Sequence, residues 1–261
     1  MRPDYKNWMP KGMVLTGVGI TAVLLALFVV FGLTGLVSGA LKTVLFIVFL
    51  ALTVIALVVT VWMILLCRAF SYNGKRQMSK QIIDGVAEYV KLPDGGRCLD
   101  VGCGSGALTI ACAKRNPNAQ FVGIDCWGKE YASYNKPLCE ANAKAEGVKN
   151  VKFMRGDATK LDFPDESFDA VTSNYVYHNI PGDKQKYLLE TLRVLKKGGT
   201  FAIHDIFSKS RYGDMQAFVK KLKAMGYESA ELIPTDNGKF IKKGEAAFME
   251  LAGSAILAGK K

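Results

Sequence analysis

Two stretches without a charged side chain, residues 12–41 and 43–67, set the first quarter of the chain apart from the rest. Each is longer than the ~20 apolar residues that cross a bilayer core. The first is too long for a secretory leader, lacks a small-residue cleavage pattern, and is followed at once by the second. The pattern predicts a transmembrane hairpin with spans at about 13–37 and 43–67, turning near 38–42. Arg2, Lys6 and Lys11 precede the first run, Arg68, Lys75, Arg76 and Lys80 follow the second, and the joint holds only Lys42. The positive-inside rule then expects a multi-pass protein of the cell membrane with both termini and the following domain in the cytoplasm. Gly35 and Gly39 form a small-xxx-small pattern that can pack helices closely, but at the end of a span it reads as the turn itself.

Beyond the hairpin the periodicity changes. A basic link, 68–80, leads into an amphipathic helix at 77–90. Short apolar runs at 97–101, 120–124, 151–154, 168–173 and 200–206 read as strands. Helices alternate with them: 107–115, 137–146 with Pro137 first and Gly147 last, 184–195 closed by Lys196-Lys197-Gly198-Gly199, and 214–225 closed by Gly226. That alternation implies a doubly wound parallel sheet with right-handed crossovers. The tail differs. Residues 231–233, a turn at Asp236-Asn237-Gly238 and a run at 246–257 have no helix between them, so the two strands are expected antiparallel. The expected organisation is a hairpin at 1–67, a link and helix at 68–90, and an α/β domain at 91–261. Its sheet would be mostly parallel and seven-stranded, ending in an antiparallel pair.

One segment carries most of the chemistry: Leu99-Asp100-Val101-Gly102-Cys103-Gly104-Ser105-Gly106-Ala107. A strand, a turn with glycines at every other position and a helix bring backbone N–H groups and a helix N-terminus against a ligand. Gly102-x-Gly104-x-x-Ala107 also fits a dinucleotide fingerprint, with Asp125 at about the right distance downstream. A dinucleotide would set its phosphates over that turn, where the strand-end acid Asp100 repels them. The segment resembles the first signature of the class I S-adenosylmethionine methyltransferases, Asp/Glu-x-Gly-x-Gly-x-Gly, and the remaining motifs fall in that family's order.

The resemblance implies a cofactor, S-adenosylmethionine, and a set of partners for it. Gly102, Cys103, Gly104 and Gly106 would lie under the methionine moiety, with Asp100 near its ammonium. Asp125, ending the second strand, would accept the ribose hydroxyls, a vicinal diol suited to a carboxylate. Trp127, beside Cys126, would stack on adenine, or serve as an ordinary core aromatic. Gly156-Asp157-Ala158 matches the segment whose acid bonds the adenine amino group, although a lone Asp157 also reads as a loop cap. The stretch Ser173-Asn174-Tyr175-Val176-Tyr177-His178-Asn179 follows the fourth strand, at the carboxyl edge where such sheets bind ligands. Asn174 is placed with the cofactor, and Tyr175, Tyr177 and His178, together with Tyr72 of the link, with the acceptor. The chain's two histidines, His178 and His204, and Asp205 are the candidates for catalysis, since an imidazole accepts protons near neutral pH. The plainer alternative is that these groups only hydrogen-bond the loops.

Charge and cysteine content narrow the partners. The net charge is +11, and without residues 1–67 the remainder still holds 30 basic and 22 acidic residues, which draws such a domain toward anionic lipid. The lysines are scattered, with no aromatic–arginine cluster, and the 173–179 stretch lacks the Asn/Asp-Pro-Pro-aromatic motif of enzymes that methylate bases, so no nucleic acid is expected. Six cysteines without C-x-x-C pairs fit reduced thiols and neither a disulfide frame nor a metal site. The expected function is a SAM-dependent methyltransferase anchored in the bilayer and acting on a small, apolar acceptor such as a lipid or quinone. The spans offer a route to homo-oligomers. An oxidoreductase with a dinucleotide site and a non-catalytic SAM-binding membrane protein are the alternatives.

Overall fold

The computed structural model describes residues 2–128 and 133–261. They form two compact units, one of Asn7–Ser79 and one of Lys80–Lys261 with the segment that ends at Lys6.

In the first unit, α1 (Lys11–Leu27) continues into a π-helical turn (Phe28–Leu33), the chain bends, and α2 (Gly39–Phe70) runs back along it. Both helical stretches, 23 and 32 residues, are long and apolar enough to cross a membrane. Their seam has the features of helix pairs in lipid, where small residues and interhelical hydrogen bonds replace the hydrophobic drive. Gly17 lies against Thr60 and Met63, Thr21 and Thr60 share a hydroxyl hydrogen bond of 3.0 Å, and Gly32 lies against Phe46. The Phe28 and Phe46 rings pack at 5.2 Å. The turn lies at 34–38, earlier than expected, so Lys42 is helical, and α2 extends past Arg68. The link is therefore shorter than the sequence suggested. Tyr72 follows α2 in this unit.

In the second unit a seven-stranded sheet has the order β3-β2-β1-β4-β5-β7-β6. Its strands are β1 (Arg97–Val101), β2 (Gln120–Asp125), β3 (Val151–Arg155), β4 (Phe168–Asn174), β5 (Leu195–Ile206), β6 (Ser229–Pro234) and β7 (Ser254–Lys260). The first five are parallel, and β7 runs antiparallel between β5 and β6. The helices are α3 (Met78–Ala87), α4 (Ala107–Arg115), α5 (Lys136–Ala145), α6 (Lys184–Arg193), α7 (Lys209–Tyr212), α8 (Met215–Ala224) and α9 (Lys243–Phe248). Leu99, Val101, Ile124, Val171, Phe201 and Ile203 of the central strands are buried, as residues covered on both faces must be. Strand order reverses between β1 and β4, and the crevice at such a reversal is where open α/β sheets bind ligands.

Two expectations need correction. A short helix, α9, does lie between β6 and β7, and β7 starts at Ser254, because the loop after β6 folds back on itself through Thr235, which takes N–H groups from Phe240 and Ile241. Lys196–Gly199 do not end a helix; they belong to β5, with Gly198 N–H donating to Lys261 O and Lys261 N–H donating to Gly199 O. Antiparallel pairing of the last two strands holds all the same.

The segment before the hairpin is part of the second unit. Asp4 N–H donates to Asn142 Oδ1 at 2.7 Å, and Asn142 Nδ2 donates to the carbonyls of Asp4 and Ser105 at 3.0 Å each. Buried Tyr5 donates its hydroxyl to Glu146. One amide on α5 thus ties the N-terminal segment to the glycine turn.

Candidate active site

The turn after β1 is held by β2. Gly102 and Cys103 donate their N–H groups to Ile124 O at 2.8 and 2.9 Å, and Gly104 N–H donates to Asp125 Oδ2 at 2.8 Å. Asp125 Oδ1 accepts from Trp127 N–H at 2.7 Å. The Gly104 carbonyl accepts from Trp127 Nε1 at 3.0 Å and from the Cys139 thiol at 3.2 Å. Both ends of the Gly104 peptide are therefore fixed. Gly102 has φ +73, and a Cβ there would overlap Val176. At Gly104, φ +54, a Cβ would meet, among the described residues, only the ring of Tyr134, 3.9 Å away. The space a side chain would fill is the open face of the turn.

Beneath the turn, Asp100 is 1% exposed. Its Oδ2 accepts from the Thr109 hydroxyl at 2.5 Å, while Oδ1 has no partner among the described residues. Burial pushes its pKa up to about 7, with the charge of Asp125 adding to the shift and Thr109 opposing it. A buried carboxylate oxygen without a partner is costly, and a cationic ligand would satisfy it. At the next strand end, Gly156 N–H donates to Asp125 O at 3.0 Å, which sets Asp157 beside Asp125. Asp157 is exposed, and its Oδ1 caps Thr159 through N–H and hydroxyl, at 2.8 and 2.7 Å.

The other half of the carboxyl edge follows β4 and β5. Tyr175 adopts φ +55, a conformation uncommon for an aromatic residue and typical of functional loops. Its N–H donates to His204 O, and its hydroxyl shares a hydrogen bond with Ser254 at 2.7 Å. Beyond it, Asp205 accepts from the N–H groups of Tyr177 and Ile206 at 2.9 and 2.7 Å, and from His178 Nδ1 at 2.5 Å. Burial alone would raise the Asp205 pKa, but the hydrogen bond and charge of His178 and the Ile206 N–H hold it below the usual carboxylate range. It is a buried anion aimed at an imidazole.

Residues 92–233 match a family model described as a methyltransferase domain. The chain belongs to the class I SAM-dependent methyltransferases. It is 30% identical over 182 residues to a demethylmenaquinone methyltransferase of Geobacillus stearothermophilus, covering 66% of this chain and 75% of that one. A protein of the same name from Thermus thermophilus is 34% identical over 139 residues, 53% of this chain and 58% of the relative. A solved structure, the [4+2]-cyclase SpnF, superposes with a TM-score of 0.52 at 22% identity, covering 71% of this chain and 82% of SpnF. That last likeness is one of fold, and a fold hosts many chemistries. The cofactor of this methyltransferase is S-adenosylmethionine, and the dinucleotide alternative falls away. The orphaned Asp100 oxygen and the open face at Gly104 fit such a cation.

The other residues singled out in the methyltransferase's sequence lie in distinct surroundings. His204 is 1% exposed, with Nδ1 at 2.8 Å from Asn174 Oδ1 and Nε2 at 2.8 Å from Thr235 Oγ1. An amide oxygen only accepts, so Nδ1 carries the proton and Nε2 accepts from Thr235. Burial drives its pKa down to about 3, which leaves it a neutral clamp between β4 and the loop after β6 and no base. Asn174 is spent on the same clamp. Tyr177 is wholly buried, its hydroxyl on Thr191. Asp205 is 0% exposed, and its Oδ1 is engaged with His178 Nδ1. Cys103 is buried, and burial and the neighbouring Cys139 push its thiol up, so it is no nucleophile. Cys126 is exposed next to Asp125, and Ala158 packs on the core. Trp127, with φ +43, has its indole N–H fixed on the turn by Gly104 O. The sequence reading missed Thr109, Cys139 and Asn142. Cys139 and Asn142 lie three apart on α5, hence on one helix face, and both bond the turn.

The two shifted groups work against each other in pH. The folded chain refuses a proton at His204 that the unfolded chain takes below 6.5, so that contribution is present above pH 6.5 and lost as pH falls toward about 3. Asp100 favours its proton when folded; its contribution is present below 3.8 and lost as pH rises through about 7. Between pH 4 and 6.5 the slopes cancel. Relative to the parent chain, Asp100→Asn is expected to gain stability with rising pH by about 1.4 kcal/mol per unit in that window, and His204→Gln to lose it by a similar amount. Denaturant midpoints across pH measure both, and parallel curves for all three proteins would refute these assignments.

Proposed function

We propose that this methyltransferase is held in a membrane by its hairpin, faces the cytoplasm, and methylates a small, apolar, membrane-borne acceptor of the quinone type. The hairpin carries this reading. Two helices long and apolar enough to cross a bilayer precede a separate compact unit that carries the glycine turn and its acids. An acceptor that lives in lipid gives them a purpose, because it then need not enter water to reach the site. The relatives named demethylmenaquinone methyltransferase act on an acceptor of that chemistry, and the basic flanks support the orientation. S-adenosylmethionine supplies an electrophilic methyl group on a sulfonium. In this reading Asp125 accepts the ribose diol, Asp157 the adenine amino group, and Asp100 the ammonium, over the open face at Gly104. Trp127 closes the adenine side next to Cys126. The acceptor enters beside Tyr175 and His178, on the half of the carboxyl edge the cofactor does not use.

The full chain in detergent, given labelled S-adenosylmethionine with reduced demethylmenaquinone or with water-soluble phenols and thiols, is expected to label the apolar acceptor preferentially. Labelling of only the soluble compounds would overturn the acceptor assignment. Asp100 provides a separate check on the cofactor. A cation prefers the ionised carboxyl, so the Kd for S-adenosylmethionine is expected to weaken by about tenfold for each pH unit below 7. Asp100→Asn removes that dependence. A Kd flat from pH 5.5 to 7 in the parent chain would remove Asp100 from the cation's contacts.

A further inference from the structure

We infer that His178, oriented by Asp205, is the base that deprotonates the acceptor, and that the acceptor is therefore a hydroxylated ring that gives up its proton as it is methylated. The acceptor half of this statement rests on the reading above; the dyad does not.

Asp205 closes β5 with its carboxylate wholly buried and three backbone N–H groups turned toward it, from Tyr177, His178 and Ile206. These donors keep it an anion. A carboxylate only accepts, so the His178 nitrogen 2.5 Å from Oδ1 must carry a proton, and the neutral ring has its lone pair on Nε2. No hydrogen bond occupies Nε2 among the described residues, and the side chain keeps 13% of its surface exposed. The ring meets the edge of Tyr175, at 6.0 Å between centroids and 89°. His204 offers the contrast: the same kind of ring, at the same edge, with both nitrogens occupied. Only one of the two histidines has a nitrogen left for a substrate. The backbone around it is set for the purpose, since Tyr175 at φ +55 turns the chain and the short 3-10 segment Tyr177–Asn179 follows.

The step balances. As the acceptor's oxygen forms its bond to the methyl carbon, the S–CH3 electron pair stays on sulfur, and the hydroxyl proton passes to His178 Nε2. The ring becomes an imidazolium beside an anion already in place, which stabilises the charge where it develops. Water then takes the proton. An acceptor without an ionisable proton would gain nothing from this arrangement. Asp205 is a positioning residue, since it reaches the substrate only through His178.

Two readouts test the inference. With 1,4-naphthohydroquinone as the probe acceptor, His178→Gln is expected to lower kcat at least 100-fold while the Kd for S-adenosylhomocysteine stays within twofold. Turnover of His178→Ala is expected to recover with added imidazole and to climb with pH as the probe ionises by itself, neither of which a purely structural role would produce. Full turnover of both variants with the parent pH profile would overturn the base. The second readout needs no acceptor: nitrogen-15 NMR of the histidine-labelled full chain, which has two histidines. The His178 ring is expected to show a proton on Nδ1 and none on Nε2, and to lose that preference in Asp205→Asn. A protonated Nε2 and bare Nδ1 in the neutral ring would overturn the dyad. A parent chain that methylates only soluble hydroxyl compounds refutes the apolar acceptor and leaves the dyad to be judged on those compounds.

Discussion

A carboxylate at the end of β2 must be matched by donors, and the match it finds shapes the whole carboxyl edge. Asp125 takes the N–H of Gly104 on one oxygen and that of Trp127 on the other. A turn with three positive-φ glycines has little reason to hold one conformation by itself, since glycine loses more freedom on folding than any other residue. Here the N–H and carbonyl of its middle peptide are both bonded, to Asp125 on one side and to Trp127 and Cys139 on the other. Among the described residues, the Gly104 face meets only Tyr134, and one buried oxygen of Asp100 has no partner. The fixed turn thereby leaves its unsatisfied groups where a cation can meet them, so that little ordering remains to be done on binding.

The second half of the edge uses the same device with a different outcome. Two histidines, each beside a polar partner on a strand end, divide into a clamp and a half-buried ring with one nitrogen unbonded among the described residues. His204 is desolvated and stays neutral, while the buried anion of Asp205 holds His178 by Nδ1. Neither fate follows from residue type. Both are set by what the loop after β6 brings: Thr235 lands on His204, and among the described residues nothing comparable lands on His178.

Much of this was legible in the chain. The strand–turn–helix with Asp100 at its head, the acids at the ends of β2 and β3, and the alternation of elements depend on local pattern, and local pattern is readable. Misreadings came where long-range partners decide. A helix at 243–248 and the early start of β5 depend on contacts with chain far away in sequence, such as Lys261 with Gly198 and Gly199. The roles of His204 and Tyr177 depend on Thr235 and Thr191, side chains whose proximity no spacing rule reveals. Cys139 and Asn142 were readable only as one face of an amphipathic helix, and their bonds to the turn need the fold. The docking of the N-terminal segment before the hairpin left no mark in the sequence, since Asp4 docks through its backbone.

We propose that one carboxylate, Asp125, both holds the glycine turn and receives the cofactor. Calorimetric titration of S-adenosylhomocysteine into the full chain and into Asp125→Ala, with folding checked by circular dichroism, addresses it directly. Losing two hydrogen bonds to a charged group, each about 1.5–3 kcal/mol, predicts a Kd weaker by at least ~100-fold. A folded Asp125→Ala protein that binds as tightly as the parent would contradict it.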